Sequence, residues 1–219
     1  MSRTIPLRRQ LAWRLFGRKA GRDQWAGGEE IPELYQQTME WSRDDIAERL
    51  PEYSKRLEAS VGQARGRVLE LGCGIGNMTR WIANRGEVSA VTAVDGFQGA
   101  IEKLQSYGIQ KVTPLCMDIG DLEFEAGTKF DTVVICELIE HLYPDEEQAM
   151  IASITPWLVE GAGWVVSTPI GWLEDPHHVR AFSKAAFNRH LRRLYGEPQG
   201  VDYASGYSQV AWGKWGSSQ

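Results

Sequence analysis

From residue 67 onward, short apolar runs alternate with helix-patterned segments, and this alternation restricts the fold more than any other feature of the chain. Arg67–Leu71 (RVLEL), Ala90–Val94 (AVTAV), Lys111–Cys116 (KVTPLC), Phe130–Cys136 (FDTVVIC) and Trp164–Thr168 (WVVST) each read as a short strand. Between and after them, Asn77–Asn84, Gln98–Tyr107, Asp145–Leu158 and Ser183–Tyr195 read as helices, with Ser183 as the cap of the last. Val201 to Trp212, interrupted by Gly206, reads as a pair of strands. Strands alternating with helices imply right-handed βαβ units. The expected architecture is α/β, a mostly parallel sheet with helices on both faces.

The 219 residues are enough to bury a core without disulfides, and Cys73, Cys116 and Cys136 are too few and too scattered for a disulfide framework or a CxxC metal site. No stretch has the roughly 20 apolar residues of a membrane span. The net charge of −5 hides an asymmetry: residues 1–22 carry seven basic side chains and no acid, which leaves 17 basic and 29 acidic side chains in the rest. An acidic body argues against nucleic acid as the partner. In the arm, Leu7, Leu11 and Leu15 recur at helical spacing among arginines, a pattern suited to an anionic membrane surface. It lacks the apolar core and cleavage site of a secretory signal. Its acid-free, Arg-rich composition also matches a transit peptide, and the plainest reading is a solvated terminus.

The chain therefore divides into a basic arm (1–22), a helical N-terminal lid (23–60) and a main domain (61–219). Within the lid, Ser42-Arg-Asp-Asp45 marks a helix start, and the helix runs to about Ser60 with Pro51 as a break or second start.

Between the first strand and its helix stands Glu70-Leu-Gly72-Cys73-Gly74-Ile-Gly76-Asn77. Glycines there let the backbone turn tightly and approach a ligand, and the following helix start offers free N–H groups. A dinucleotide fingerprint would place its third glycine where Asn77 stands. Glu70, on the strand itself, suits a ligand with a cationic amino group better than a pyrophosphate. Asp95, followed by Gly96 and Phe97, closes the second strand, where an acid can take both hydroxyls of a ribose. Met117-Asp118-Ile119 ends the third, where an acid flanked by apolar residues can meet an adenine.

These residues resemble the class I S-adenosylmethionine-dependent methyltransferases, over roughly residues 60–195. The resemblance implies a Rossmann-like seven-stranded sheet with an antiparallel C-terminal strand pair, S-adenosylmethionine as cofactor, and methyl transfer as the reaction. It also implies roles: Glu70, Gly72, Cys73, Gly74 and Gly76 for the methionine part, Asp95 and Gly96 for the ribose, and Met117, Asp118 and Ile119 for the adenine, with Phe97 on its other face. The resemblance also implies that Cys136, at the end of the fourth strand, adjoins the same pocket.

Cys136 leads into Glu137-Leu-Ile-Glu140-His141. In a helical turn, positions i, i+3 and i+4 share one face, so Glu137, Glu140 and His141 would emerge together at the carboxyl edge of the sheet. They resemble the metal-binding Glu-x-x-Glu-His of ubiquinone-biosynthesis O-methyltransferases and small-RNA 2′-O-methyltransferases. His178 is the candidate fourth ligand, and Mg, Mn or Zn the candidate metals. Without metal, His141 is the candidate general base, oriented by Glu140 or Glu137. A purely structural role stands beside both. His177-His178-Val-Arg180-Ala-Phe182-Ser183 resembles a segment of bacterial methyltransferases of polyketide, quinone and polysaccharide pathways. Arg180 is a candidate holder of a substrate carboxylate or phosphate, or else an ion-pair partner of Glu174 or Asp175, and Trp172 a candidate pocket wall.

A hydroxyl acceptor needs a base or a metal more than an amine does. The expected reaction is therefore O-methylation of a small molecule, sugar or lipid-linked intermediate. RNA or protein methylation, and a non-catalytic S-adenosylmethionine-binding subunit, remain as alternatives. The short segment after the fifth strand leaves the pocket open or completed by a second subunit, as in a homodimer. The expected location is cytoplasmic, peripheral at a membrane if the arm engages one.

Overall fold

The computed structural model describes residues 33–171, 178–203 and 206–216. Its seven strands are β1 (Gly66–Leu71), β2 (Val88–Asp95), β3 (Val112–Cys116), β4 (Phe130–Cys136), β5 (Leu158–Pro169), β6 (Pro198–Asp202) and β7 (Ser208–Lys214), in the order β3-β2-β1-β4-β5-β7-β6. The first five are parallel neighbours, and β7 runs antiparallel to both β5 and β6. This is the Rossmann-like sheet with an antiparallel C-terminal pair that the sequence implied. β5 is longer than expected, because Leu158 already pairs with Phe130 before a register shift carries Gly163 onto Thr132.

Successive residues of β1 serve opposite faces, as pleating requires. Leu69 and Leu71 join one core cluster with Phe130, Trp164, Phe187 and Tyr195. Val68 joins the other, with Val91, Val134, Val165 and Val210. The helices α1 (Glu33–Thr38), α2 (Arg43–Arg49) and α3 (Pro51–Val61) precede the sheet. Ser42 and Asp45 form a capping box at the start of α2, and Pro51, at the first turn of α3, is a second start and not a kink. Ile46, Leu57 and Val61 are buried in the second cluster, so this segment packs on the sheet as part of its core. Residues 1–22 lie outside the described residues.

The crossover helices are α4 (Thr79–Ala83), α5 (Gln98–Ser106) and α6 (Pro144–Ile154), and α7 (Lys184–Leu194) follows β5. Ser183 caps α7 by accepting from the Ala186 amide. No helix among the described residues is long and apolar enough to cross a membrane. All five parallel strands end at one edge, and there the candidate residues gather.

Candidate active site

The glycine turn is built by folding β1 back across the end of β2. The amides of Gly72 and Cys73 both donate to the carbonyl of Val94, at 2.8 and 3.1 Å. Gly72, Gly74 and Gly76 have φ values of 70, 53 and 95°, which only glycine adopts without strain. A side chain at Gly72 would meet Leu138, and one at Gly76 would meet Leu104. At Gly74 there is open space, so backbone is exposed to a ligand there. The helix behind the turn starts only at Thr79 and is one short turn and a half, so its dipole adds less than the sequence promised.

Asp95 closes β2 with one carboxylate oxygen accepting from the Gly74 amide at 2.9 Å and the other from the Phe97 amide at 2.9 Å. It therefore ties the glycine turn to the start of α5. Burial raises its pKa, and the backbone N–H groups of Phe97, Gly74 and Gly96 oppose that rise. Phe97 packs with Met39, Ile75 and Ala100. Asp118 follows β3 on the exposed side, accepting from the Gly120 amide, while Met117 and Ile119 are partly buried beside the core. Glu70 is 4% exposed, and one of its carboxylate oxygens has no hydrogen-bond partner among the described residues. Burial pushes its pKa up to about 8, helped by the charge of Asp95 and opposed by the Thr79 hydroxyl. A buried, incompletely paired carboxylate beside an open glycine backbone fits the cationic amino-acid end of S-adenosylmethionine.

At the end of β4 the predicted helical face is a single tight turn, Ile139–His141. Glu137 has φ 52°, unusual for a residue with a side chain. Its carboxylate meets Arg56 of α3 at 2.8 Å, the Ser167 hydroxyl at 2.8 Å and the Ser208 hydroxyl at 3.3 Å. Glu140 is buried (1% exposed) and accepts from the Thr168 hydroxyl at 3.0 Å, while its other oxygen has no hydrogen-bond partner among the described residues. Burial, then the charge of Glu137, raises its pKa well above the ordinary carboxylate range. His141 and His178 stack edge to face with centroids 4.8 Å apart. One ligand atom from each of Glu140, His141 and His178 lies within 4.8 Å of the others, a three-donor set that fits a divalent metal. Glu137 falls outside that set, because its oxygens are committed to Arg56 and the two serines.

Arg180 requires a correction. Its guanidinium is engaged by partners within the protein. Nε (3.1 Å) and Nη2 donate to the Ile139 carbonyl, and Nη1 meets Glu147 at 2.7 Å. A cation already satisfied by a backbone carbonyl and a buried carboxylate has little left for an acceptor. Trp172, Glu174 and Asp175 lie outside the described residues. Sequence reasoning also missed Arg56, Arg80 and Glu147. Of these only Glu147 left a signal: an acid on the stripe of α6 that otherwise reads Met150, Ile151 and Ile154.

Residues 68–161 match the family model described as a methyltransferase domain. That stretch, a little under half of the chain, is a methyltransferase domain. Among curated proteins it is similar to trans-aconitate 2-methyltransferase of Mycobacterium ulcerans, 29% identical over 131 residues, with 58% of this chain and 47% of the relative covered. The Mycobacterium marinum counterpart is 31% identical over 131 residues, with the same coverage, 58% and 47%. The chain thus spans about half the length of these relatives. Among solved structures, the DhpI complex with SAH has a TM-score of 0.62 at 21% identity, covering 81% of this chain and 93% of that one. N-methyltransferase NodS from Bradyrhizobium japonicum with SAH gives 0.59 at 17% identity, covering 84% and 97%. At such identities the likeness to this methyltransferase is one of fold. S-adenosylmethionine is the cofactor of the domain, and the Glu70–glycine-turn–Asp95 edge is where this chain's residues fit it.

Proposed function

We propose that this methyltransferase transfers a methyl group to an oxygen of a small acceptor, with His141 as the group that manages the acceptor's proton. The observation that carries this reading is the gathering of Glu140, His141 and His178 at the strand edge that also bears the glycine turn. S-adenosylmethionine supplies an electrophilic methyl group. Glu70 and the amides around Gly74 would hold its amino-acid end, Asp95 its ribose, and Asp118 with Met117 its adenine. The remaining task is to deprotonate and aim the acceptor within about 3–3.5 Å of the methyl carbon. An imidazole beside a buried acid performs general-base chemistry on a hydroxyl.

The curated relatives' name describes a small organic acid as acceptor, which is in keeping with a small oxygen acceptor. Sugars and lipid-linked intermediates belong to the same chemical class of hydroxyl acceptors. A second reading, metal-assisted transfer, is favoured by the three-donor set. A cation held by Glu140, His141 and His178 would lower the acceptor's pKa directly. Nitrogen acceptors form a third reading, since NodS is named an N-methyltransferase.

The test is turnover of a panel of hydroxyl compounds, carboxylic acids and amines with S-adenosylmethionine, in the presence and absence of a chelator. Oxygen methylation that survives chelation supports the base reading. Chelator-sensitive turnover restored by Mg, Mn or Zn supports the metal reading, and turnover of amines alone would overturn both.

A further inference from the structure

Glu147 is completely buried in α6, yet it is an acid. Three donors converge on it. Arg180 Nη1 lies at 2.7 Å, His190 Nε2 of α7 at 2.8 Å and the Tyr195 hydroxyl at 2.6 Å. Burial alone would raise its pKa, but His190, Arg180 and Tyr195 outweigh that and hold it below the ordinary carboxylate range. Glu147 is thus an anion anchored between α6 and α7.

Arg180 projects from this anchor toward the candidate active site. Its Nε and Nη2 grip the carbonyl of Ile139. The backbone beside it completes a stitch, since the amides of Val179 and Arg180 both donate to the carbonyl of Glu140, at 2.9 and 3.1 Å. Farther along, the Phe182 carbonyl accepts from the Gly171 amide at 2.7 Å, returning the segment to the end of β5. The turn that carries Glu140 and His141 and the strap that carries His178 are therefore fastened by this guanidinium together with two backbone amides. Two imidazoles contributed by separate loops come into edge-to-face contact only if those loops hold a fixed offset.

We propose that Glu147 and Arg180 are positioning residues that fix the His141–His178 geometry of the acceptor site, separately from the cofactor half of the pocket. This rests on the proposed role of His141 in methyl transfer. The guanidinium fork matters here. A lysine would keep the charge beside Glu147 but could not hold the Ile139 carbonyl with two donors while pairing with the acid. Misplacing a reacting group by about 1 Å costs on the order of 10²-fold in rate.

The experiment uses the full chain with Arg180→Lys and, separately, Glu147→Gln. Glu147→Gln keeps the shape and removes the charge. Three quantities are measured: S-adenosylmethionine affinity, kcat and KM for an acceptor that the panel yields, and the inter-ring NOE between His141 and His178 in histidine-labelled protein without ligands. For Arg180→Lys we expect affinity within about twofold of wild type, kcat reduced by about 10–100-fold with KM changed much less, and a weakened NOE. An unchanged NOE and unchanged kcat in folded Arg180→Lys would overturn the proposal. So would kcat falling only in step with cofactor affinity. If Glu147→Gln does not fold, Arg180→Lys decides alone. The NOE separates this idea from the reaction itself: a lost NOE in an enzyme with no measurable acceptor supports the positioning while leaving the proposed reaction to fail on its own.

Discussion

The imidazoles of His141 and His178 meet edge to face at 4.8 Å, one from the turn after β4 and the other from the strap after β5. Both rings have a nitrogen within 4.8 Å of a Glu140 carboxylate oxygen, whereas Glu137 is bound to Arg56. His141→Ala is expected to lower kcat by 10²–10⁴-fold while leaving S-adenosylmethionine affinity unchanged, because the glycine turn lies on other strands. Steady-state kinetics beside calorimetric titration of the cofactor checks this. His141→Ala with wild-type turnover would remove it from the reaction. If a metal takes part, His178→Ala raises the metal concentration needed for half-maximal activity, whereas a base mechanism gives no metal dependence in either protein.

Glu70 makes a prediction with a definite sign. Its pKa rises from 4.5 in a free chain to about 8 in the fold, so between those values the folded state holds a proton that the unfolded state has lost. Stability of the ligand-free protein is therefore greatest below pH 4.5 on this account and falls as pH rises through 8, by at most ~5 kcal/mol. Asp95 and Glu140 are shifted in the same direction, so the comparison with a variant isolates Glu70. Glu70→Gln is expected to be more stable than wild type at pH 8 without ligand, yet to bind S-adenosylmethionine at least tenfold more weakly. Urea unfolding at pH 5 and 8 with cofactor titration reads both. Identical pH dependence in the two proteins would refute the assignment.

The fold was legible because its signals are local. Period-two apolar runs and a Gly72-x-Gly74-x-Gly76 turn encode strands and a tight bend within a few residues of themselves. The cofactor edge followed, since strand ends of a parallel sheet share one side. Contacts between distant segments were not legible. Arg180 looked like a substrate ligand because an arginine in a loop does not reveal that a carbonyl one strand away, Ile139, will occupy it. Glu137 looked like a partner of His141 on helical spacing, but the turn is too short and its φ of 52° sends the carboxylate toward Arg56. Glu147 was the exception, an acid on an apolar stripe, whose meaning needed Tyr195 and His190 from another helix.

Gly72 tests the turn. With φ 70° and a would-be Cβ 3.0 Å from Leu138 Cδ1, Gly72→Ala strains the backbone and pushes on the turn that precedes His141. The expected loss is about 1–2 kcal/mol from backbone alone, with weaker cofactor binding. Gly86→Ala, where a Cβ meets nothing within 4 Å, is the control and should be neutral within ~0.5 kcal/mol. Equal stabilities in urea titrations would contradict this account of the glycine turn.

Removing residues 1–22 is expected to leave S-adenosylmethionine affinity unchanged. The described cofactor edge, from Glu70 to Ile119, is built from strands that begin at Gly66. The basic arm is then a candidate membrane or partner tether, tested by comparing full-length and truncated protein for binding to anionic vesicles, where equal binding would leave it a solvated terminus. Loss of cofactor binding in soluble truncated protein would overturn the separation.

Arg80 of α4 holds down the N-terminal segment from the cofactor side. Its Nη1 donates to the Met39 carbonyl, and Nη2 to those of Thr38 and Trp41, each at 2.6 Å, with the guanidinium 4.2 Å from the Trp81 ring centre. Met39 in turn packs with Ile75 of the glycine turn and Phe97 beside Asp95. A single side chain thus closes residues 38–41 against the turn that receives the cofactor. Arg80→Ala removes charge-assisted bonds from part-buried carbonyls, a loss on the order of 2–3 kcal/mol. Local opening should follow before global unfolding. We expect faster hydrogen exchange at the Met39 and Glu40 amides, faster cofactor dissociation in stopped flow, and kcat unchanged at saturating cofactor. A dissociation rate equal to that of wild type would mean that the segment does not govern access to the cofactor.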